Sequence, residues 1–179
     1  MDGQGERATE IPMANHWRPP VAGTVKLNTD ASFIADSGDS HSGAIARDHR
    51  GFVLFSLSKR CVRCMSAMEA EAQALLTGLR HLSALYRGPM VAETDCMNLV
   101  NELRPGTSNL SACYPVLVDI KEELGKFAAA QVLYASRNQN KVAHLLAGHA
   151  RKKEEMYLAA GVPDDLNAAL AADLVLAEE

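Results

Sequence analysis

Val25-Lys26-Leu27-Asn28-Thr29-Asp30-Ala31-Ser32-Phe33 alternates without a break. Val25, Leu27, Thr29, Ala31 and Phe33 fall on one face; Lys26, Asn28, Asp30 and Ser32 fall on the other. A period of two sustained over this stretch predicts a half-buried strand. Asp30 lies in mid-strand on the polar face, and strand interiors disfavour aspartate. Two readings are open. The face is bathed in solvent, or helices cover it and the carboxylate has partners, because burying it alone is costly.

Downstream, residues 34–42 are rich in Asp, Ser and Gly and read as a loop. Gly43 to Arg47 and Phe52 to Lys59 read as two further strands. Asp48-His49-Arg50-Gly51 joins them as a tight hairpin turn, with Gly51 where a positive φ is required. Ser66 to Tyr86 is the clearest helix: Ser66 followed by Glu69 is a capping box, and Leu75, Leu79, Leu82 and Tyr86 form its apolar stripe. Pro89 to Asp95 is a fourth strand, followed by a helix from Cys96 to Leu103 that Pro105-Gly106 stops. Pro115 to Phe127 is amphipathic, with Val116, Ile120 and Leu124 in phase. Gln131 to Arg137 is a fifth strand and Asn138 to Lys141 a turn. Val142 to Lys153 is a helix with Val142, Leu145, Leu146 and His149 on one stripe, and residues 164–177 form a last short helix.

The order β-β-β-α-β-α-α-β-α predicts an α/β fold. Three antiparallel strands followed by strands alternating with helices make a mixed five-stranded sheet with helices packed on it. Upstream, Trp17-Arg18-Pro19-Pro20 makes a stiff entry to the domain, and residues 1–16, polar and without periodicity, read as a disordered leader. The expected organisation is a leader over 1–16, one domain over 17–153 and an acidic helical tail over 154–179.

The 179 residues suffice for one domain with a real core. No apolar run is long enough to cross a membrane, and no apolar segment follows the first residues as in a secretory signal. The expectation is a monomer inside the cell, in nucleus or cytoplasm, neither secreted nor in a membrane. Cys61-x-x-Cys64 has zinc-ligand spacing, but no second pair follows, so Cys61, Cys64, Cys96 and Cys113 are expected as reduced thiols. The net charge of −4 is unevenly spread. Residues 154–179 hold seven acids and no Lys or Arg, whereas 17–153 keep 17 basic and 12 acidic side chains. A basic body suits phosphate binding, and equally an ordinary solvated surface.

Two further acids stand out. Glu71 is in phase with Leu75, Leu79 and Leu82, so it points toward the sheet, whereas Glu69 already serves the capping box. An acid on the packed side of a helix is rarely buried without a partner or a metal. The alternatives are a place at the stripe's edge or a favourable spot near the helix start. Asp95 ends a strand and precedes a helix, which fits an N-cap and equally a site at a strand's C-terminal end. Three carboxylates from a strand, a helix and a strand end can converge, and such a cluster needs cations. Hard oxygen ligands suit magnesium or manganese, and two such ions can activate a water and stabilise a leaving oxygen in phosphodiester cleavage.

Five stretches follow one another in order: the strand Val25 to Ser32; Gly43-Ala44-Ile45-Ala46-Arg47-Asp48-His49-Arg50-Gly51; Ala70-Glu71-Ala72-Gln73-Ala74-Leu75; Glu93-Thr94-Asp95-Cys96; and Arg137 to Ala147. Together they resemble the RNase H-like family, in particular its reverse-transcriptase-like branch common in plant proteins. The resemblance implies an RNase H-like fold. It implies that Asp30, Glu71 and Asp95 match the metal-binding carboxylates of enzymes that cut the RNA strand of RNA/DNA hybrids with two Mg2+ or Mn2+ ions. His144 stands at the fourth acidic position and is carried over as a catalytic residue. Its imidazole suits manganese or zinc better than magnesium, which implies a shifted metal preference and lower activity. A surface histidine without a metal is the alternative.

A mobile histidine ahead of the final helix, found in type-1 enzymes, is absent from Arg137-Asn138-Gln139-Asn140, which implies slow turnover. The resemblance further places Asn28, Ser32 and the turn near Arg47 beside the hybrid backbone. Lys59, Arg60 and Arg63 form a basic cluster that either joins that surface or is a solvated loop. The sequence thus supports a ribonuclease H-type endonuclease acting on RNA/DNA hybrids. The alternative is a catalytically weak or inactive nucleic-acid-binding module of the same fold. A protein-interaction domain is a third reading.

Overall fold

A computed structural model describes residues 15–107 and 111–177. Most of the expected leader, and the tail residues Glu178 and Glu179, lie outside the described residues. Strands β1 (Val25–Phe33), β2 (Ser40–Arg47) and β3 (Val53–Arg60) form the antiparallel opening of the sheet. Helix α1 (Ala67–Leu85) leads to β4 (Met90–Thr94), which pairs parallel with β1. Helices α2 (Met97–Glu102) and α3 (Tyr114–Leu124) lead to β5 (Ala130–Tyr134), parallel to β4. Helix α4 (Lys141–Lys152) follows, then β6 (Met156–Leu158), a 3-10 turn at Asp164–Leu166 and α5 (Asn167–Ala177). The strand order is β5-β4-β1-β2-β3-β6.

The mixed sheet with packed helices is as the alternation foretold, but it has six strands, not five. Residues 154–177 are not an appended tail either. Tyr157 pairs with Leu57, so β6 extends the sheet at its β3 edge. Three residues are too few to show a period, which is why the sequence hid this strand. β2 also begins at Ser40, inside the expected loop. Its polar start is tolerated because Phe33 pairs with Ser40 and the Ser40 hydroxyl reaches Val62 O at 3.1 Å.

Helices cover both faces of the sheet. On one face α1 packs its Leu75, Leu79 and Leu82 against Leu27, Ala44 and Leu57 in the main core. Each such leucine contributes about 1.5–3 kcal/mol by leaving water. The helix starts as expected: Ser66 Oγ accepts from Glu69 N at 3.1 Å, and Glu69 Oε2 accepts from Met65 N at 2.7 Å. On the other face α4 packs Val142, Ala143 and Leu146 around Ile45. Gly43 makes this possible. A methyl group there would lie 2.2 Å from Ala143 O and 2.3 Å from Ala147 N, so only glycine lets α4 lie this close. Among the described residues no helix is long and apolar enough to cross a membrane.

Candidate active site

Asp30 and Gly43 are paired across β1 and β2, so the backbone on which α4 rests lies beside Asp30. β1 and β4 run parallel in the register Asn28 to Glu93, and two more residues along each bring Asp30 and Asp95 to the same level. Asp95 is not an N-cap: Cys96 holds that place, without a side-chain cap bond, at the start of α2. Glu71 enters from the first turns of α1. One carboxylate oxygen of each of Asp30, Glu71 and Asp95 lies within 4.8 Å of the others, and this is the metal-sized acid group among the described residues.

The electrostatics are those of a self-repelling cluster. Burial, followed by the charge of Asp95, pushes Asp30 up to about 6 against the favourable bond from His144. Burial, followed by the charges of Asp30 and Asp95, pushes Glu71 up to about 9. Asp30 Oδ1 and Glu71 Oε2 are buried and have no hydrogen-bond partner among the described residues. Buried carboxylate oxygens without donors are rare in folded proteins and ask for a reason. Three hard oxygen donors with orphaned lone pairs fit a divalent cation such as magnesium or manganese.

A histidine and an arginine border the cluster. His144 Nδ1 lies 2.6 Å from Asp30 Oδ2, while the histidine side chain stays 44% exposed at the surface. Arg137 Nε donates to Asp95 Oδ2 at 3.1 Å. That bond, together with the acidic charges beyond it, raises the arginine pKa. No local pattern marks Arg137, which in the sequence is only a position of the last motif.

The surface expected to hold the hybrid needs correction. Asn28 is fully buried. Its Oδ1 accepts from Trp17 Nε1 at 3.0 Å and Arg47 Nη2 at 3.3 Å; its Nδ2 donates to Glu93 Oε2 at 2.9 Å and Asn140 Oδ1 at 3.1 Å. Arg47 is 1% exposed, stacked 3.8 Å over the Trp17 ring and bonded to Asp173 Oδ2 of α5 at 2.8 Å. Neither side chain can reach a nucleic acid, because α4 and α5 cover that part of the polar face. Ser32 is half-buried on β1 beyond Asp30. Arg60 bonds Asp39 Oδ1 at 3.0 Å and Arg63 Nε bonds Ser37 O at 2.9 Å, so both bind the loop after β1; Lys59 is exposed.

The fold has counterparts among known proteins. A family model described as reverse transcriptase-like matches residues 28–150, well over half the chain. The chain belongs to this RNase H-like family. No curated protein sequence matches it. Among solved structures, RNase H1 from the archaeon Halobacterium salinarum aligns with a TM-score of 0.67 at 19% identity, over 73% of this chain and 98% of its own. The N-terminal RNase H domain of a Mycobacterium tuberculosis protein gives a TM-score of 0.67 at 18% identity, over 73% of this chain and 95% of its own. LC11-RNase H1, solved in complex with an RNA/DNA hybrid, gives 0.60 at 16% identity, over 68% and 92%. At these identities the likeness is one of fold. The RNase H-like chain described here adds β6 and α5 beyond the span of the family match.

Proposed function

We propose that this chain is a ribonuclease H-type endonuclease that hydrolyses the RNA strand of RNA/DNA hybrids. The observation that carries the reading is the convergence of Asp30, Glu71 and Asp95 with two buried, donorless carboxylate oxygens. Asp30, Glu71 and Asp95 would hold two magnesium or manganese ions, which when bound supply charge for the attacking and leaving oxygens of the phosphodiester. The chain's own residues set the rest. Burial of Asp30 and Glu71 keeps competing water and donors away from the oxygens. With Nδ1 directed to Asp30, His144 leaves Nε2 to carry a proton at the exposed mouth of the site. Arg137 orients Asp95 and places a guanidinium where a phosphate oxygen would approach. The family match and the hybrid-bound relative support the substrate class.

A second reading rests on a specific observation: Asp30 already has His144, and Asp95 has Arg137, as a close hydrogen-bond partner. In that reading the protein binds hybrids and cuts them weakly or not at all. The deciding experiment is cleavage of a labelled RNA/DNA hybrid in magnesium and in manganese, with Asp30→Asn alongside. The parent should cut and Asp30→Asn should not, while the variant still folds, because it removes a charge from a repelling cluster. Hybrid binding without cleavage in either metal would favour the second reading.

A further inference from the structure

Helix α4 carries more cations than its packing uses. From Lys141 to Lys153 it holds three lysines, one arginine and two histidines, and no acid. Its inner face, with Val142, Ala143 and Leu146, is buried on the sheet. On the outer side His144, Gly148 and Lys152 recur every fourth residue, so they lie in one line along the helix. The line begins at the histidine bonded to Asp30 and ends eight residues later, roughly 12 Å along the axis.

That line is a trench with a built shape. His144, Gly148, His149 and Lys152 border a cavity of about 230 Å3 whose far wall is the 3-10 turn. At Gly148 a Cβ would meet nothing within 4 Å, so the middle of the trench is open. The one carboxylate lining it, Asp165, is held by Lys153 Nζ at 2.8 Å. Lys152 is exposed and has no carboxylate partner among the described residues. His149 Nδ1 is buried beside the trench without a hydrogen-bond partner.

We propose that the outer face of α4 is a track for the sugar-phosphate backbone of the bound hybrid, running from His144 past Gly148 to Lys152. The proposal rests on the nucleic-acid reading above and names where the strand leaves the carboxylate cluster. Charge complementarity selects the occupant: an acid-free helix line that starts at the candidate cleavage site suits a polyanion. Gly148 admits the backbone closely, and Lys152 supplies an ammonium to a phosphate.

The test is hybrid binding to the full chain in EDTA, read by fluorescence anisotropy across a salt series. Lys152→Glu and Gly148→Glu should each weaken binding about tenfold, and Lys152→Glu should lower the salt slope by about one. Gly148→Gln, which adds bulk without charge where the strand must come close, should also weaken binding while keeping the parent's salt slope. Arg104→Glu, which makes the same charge change near β5 at the other side of the sheet, should have little effect. Parent-like affinity and slope in both charged α4 variants, parent-like binding by Gly148→Gln, or an equal loss in Arg104→Glu would each overturn the track while leaving the nuclease reading intact. A parent that binds no hybrid at any salt would overturn both.

Discussion

Asn28 and Asp30 are two residues apart on one face of β1, and their surroundings are opposite in kind. Around Asn28 the side-chain amide is fully matched: two donors reach its oxygen and two acceptors receive its nitrogen. Trp17, Arg47, Asn140 and Asp173 complete the knot, in which Arg47 Nε is a buried atom without a partner among the described residues. Around Asp30 three carboxylates crowd together, and two of their oxygens have none. A satisfied buried network fixes structure; an unsatisfied one stores a cost that a ligand can relieve. The same face of the same strand therefore divides into an anchor and a site. Asn140 connects them: its side chain bonds Asn28 and Thr29 O, and it starts the helix that delivers His144 to Asp30.

The largest effect expected from breaking this contrast lies in the anchor. Asp173→Ala leaves Arg47 buried without its carboxylate, and such a loss costs about 3–5 kcal/mol. The denaturation midpoint should fall accordingly. Replacing both partners, as Arg47→Met with Asp173→Leu, should recover most of the loss, since apolar pairs of similar volume do as well as buried ion pairs. Recovery would show that the pair is tolerated rather than required. An unchanged midpoint in Asp173→Ala would mean that α5 does not pack as described.

Much of this was legible in the sequence, and the illegible part has physical causes. Alternation placed β1, and helical phase singled out Glu71 over Glu69, because both are local periods. Alternation cannot distinguish a polar face that meets water from one that another helix covers. Asn28 stands on such a face and Arg47 ends the neighbouring strand, and the resemblance placed both beside the hybrid, yet both are buried. Arg47 and Asp173 are 126 positions apart, and no local pattern links them. Gly43 was visible as a motif residue, but its reason, the close approach of α4, exists only in three dimensions. Arg137 likewise acquires its role only once β4 has brought Asp95 beside it.

At the site the sign should reverse. Glu71→Gln removes a group whose folded-state pKa is raised, so in EDTA it should stabilise the protein by about 1–3 kcal/mol at pH 7. The sign follows from proton binding. Asp30 rises from 3.8 to about 6 and Glu71 from 4.5 to about 9, so the folded state holds protons that the unfolded chain has released. The associated stability is full below about pH 4 and is lost as pH rises through 6 and then 9. Metal-free parent should therefore melt lower at pH 8 than at pH 5, and Glu71→Gln should flatten that slope. Adding manganese should raise the parent's melting point most at high pH, where the carboxylates are charged; a hundredfold excess over Kd stabilises the fold by about 2.7 kcal/mol. A Glu71→Gln variant that melts below the parent in EDTA would break the contrast.

The smallest effect belongs to Arg137, which borders the site without being buried in it. Its side chain is 65% exposed, and an ion pair this open contributes under about 1 kcal/mol to stability. Arg137→Gln should thus leave the midpoint nearly unchanged, unlike Asp173→Ala. Its effect should appear in metal binding instead. Arg137 holds Asp95 Oδ2 and lends positive charge to the cluster, so it competes with an incoming cation. Manganese titration of Arg137→Gln should show a Kd several-fold lower than the parent's. If the variant also cuts hybrid more slowly while binding metal more tightly, then Arg137 serves the substrate phosphate and its hold on Asp95 is the resting state of that service. A weaker metal affinity would instead mean that Arg137 is needed to aim Asp95 at the cluster, which would make it part of the anchor rather than of the site.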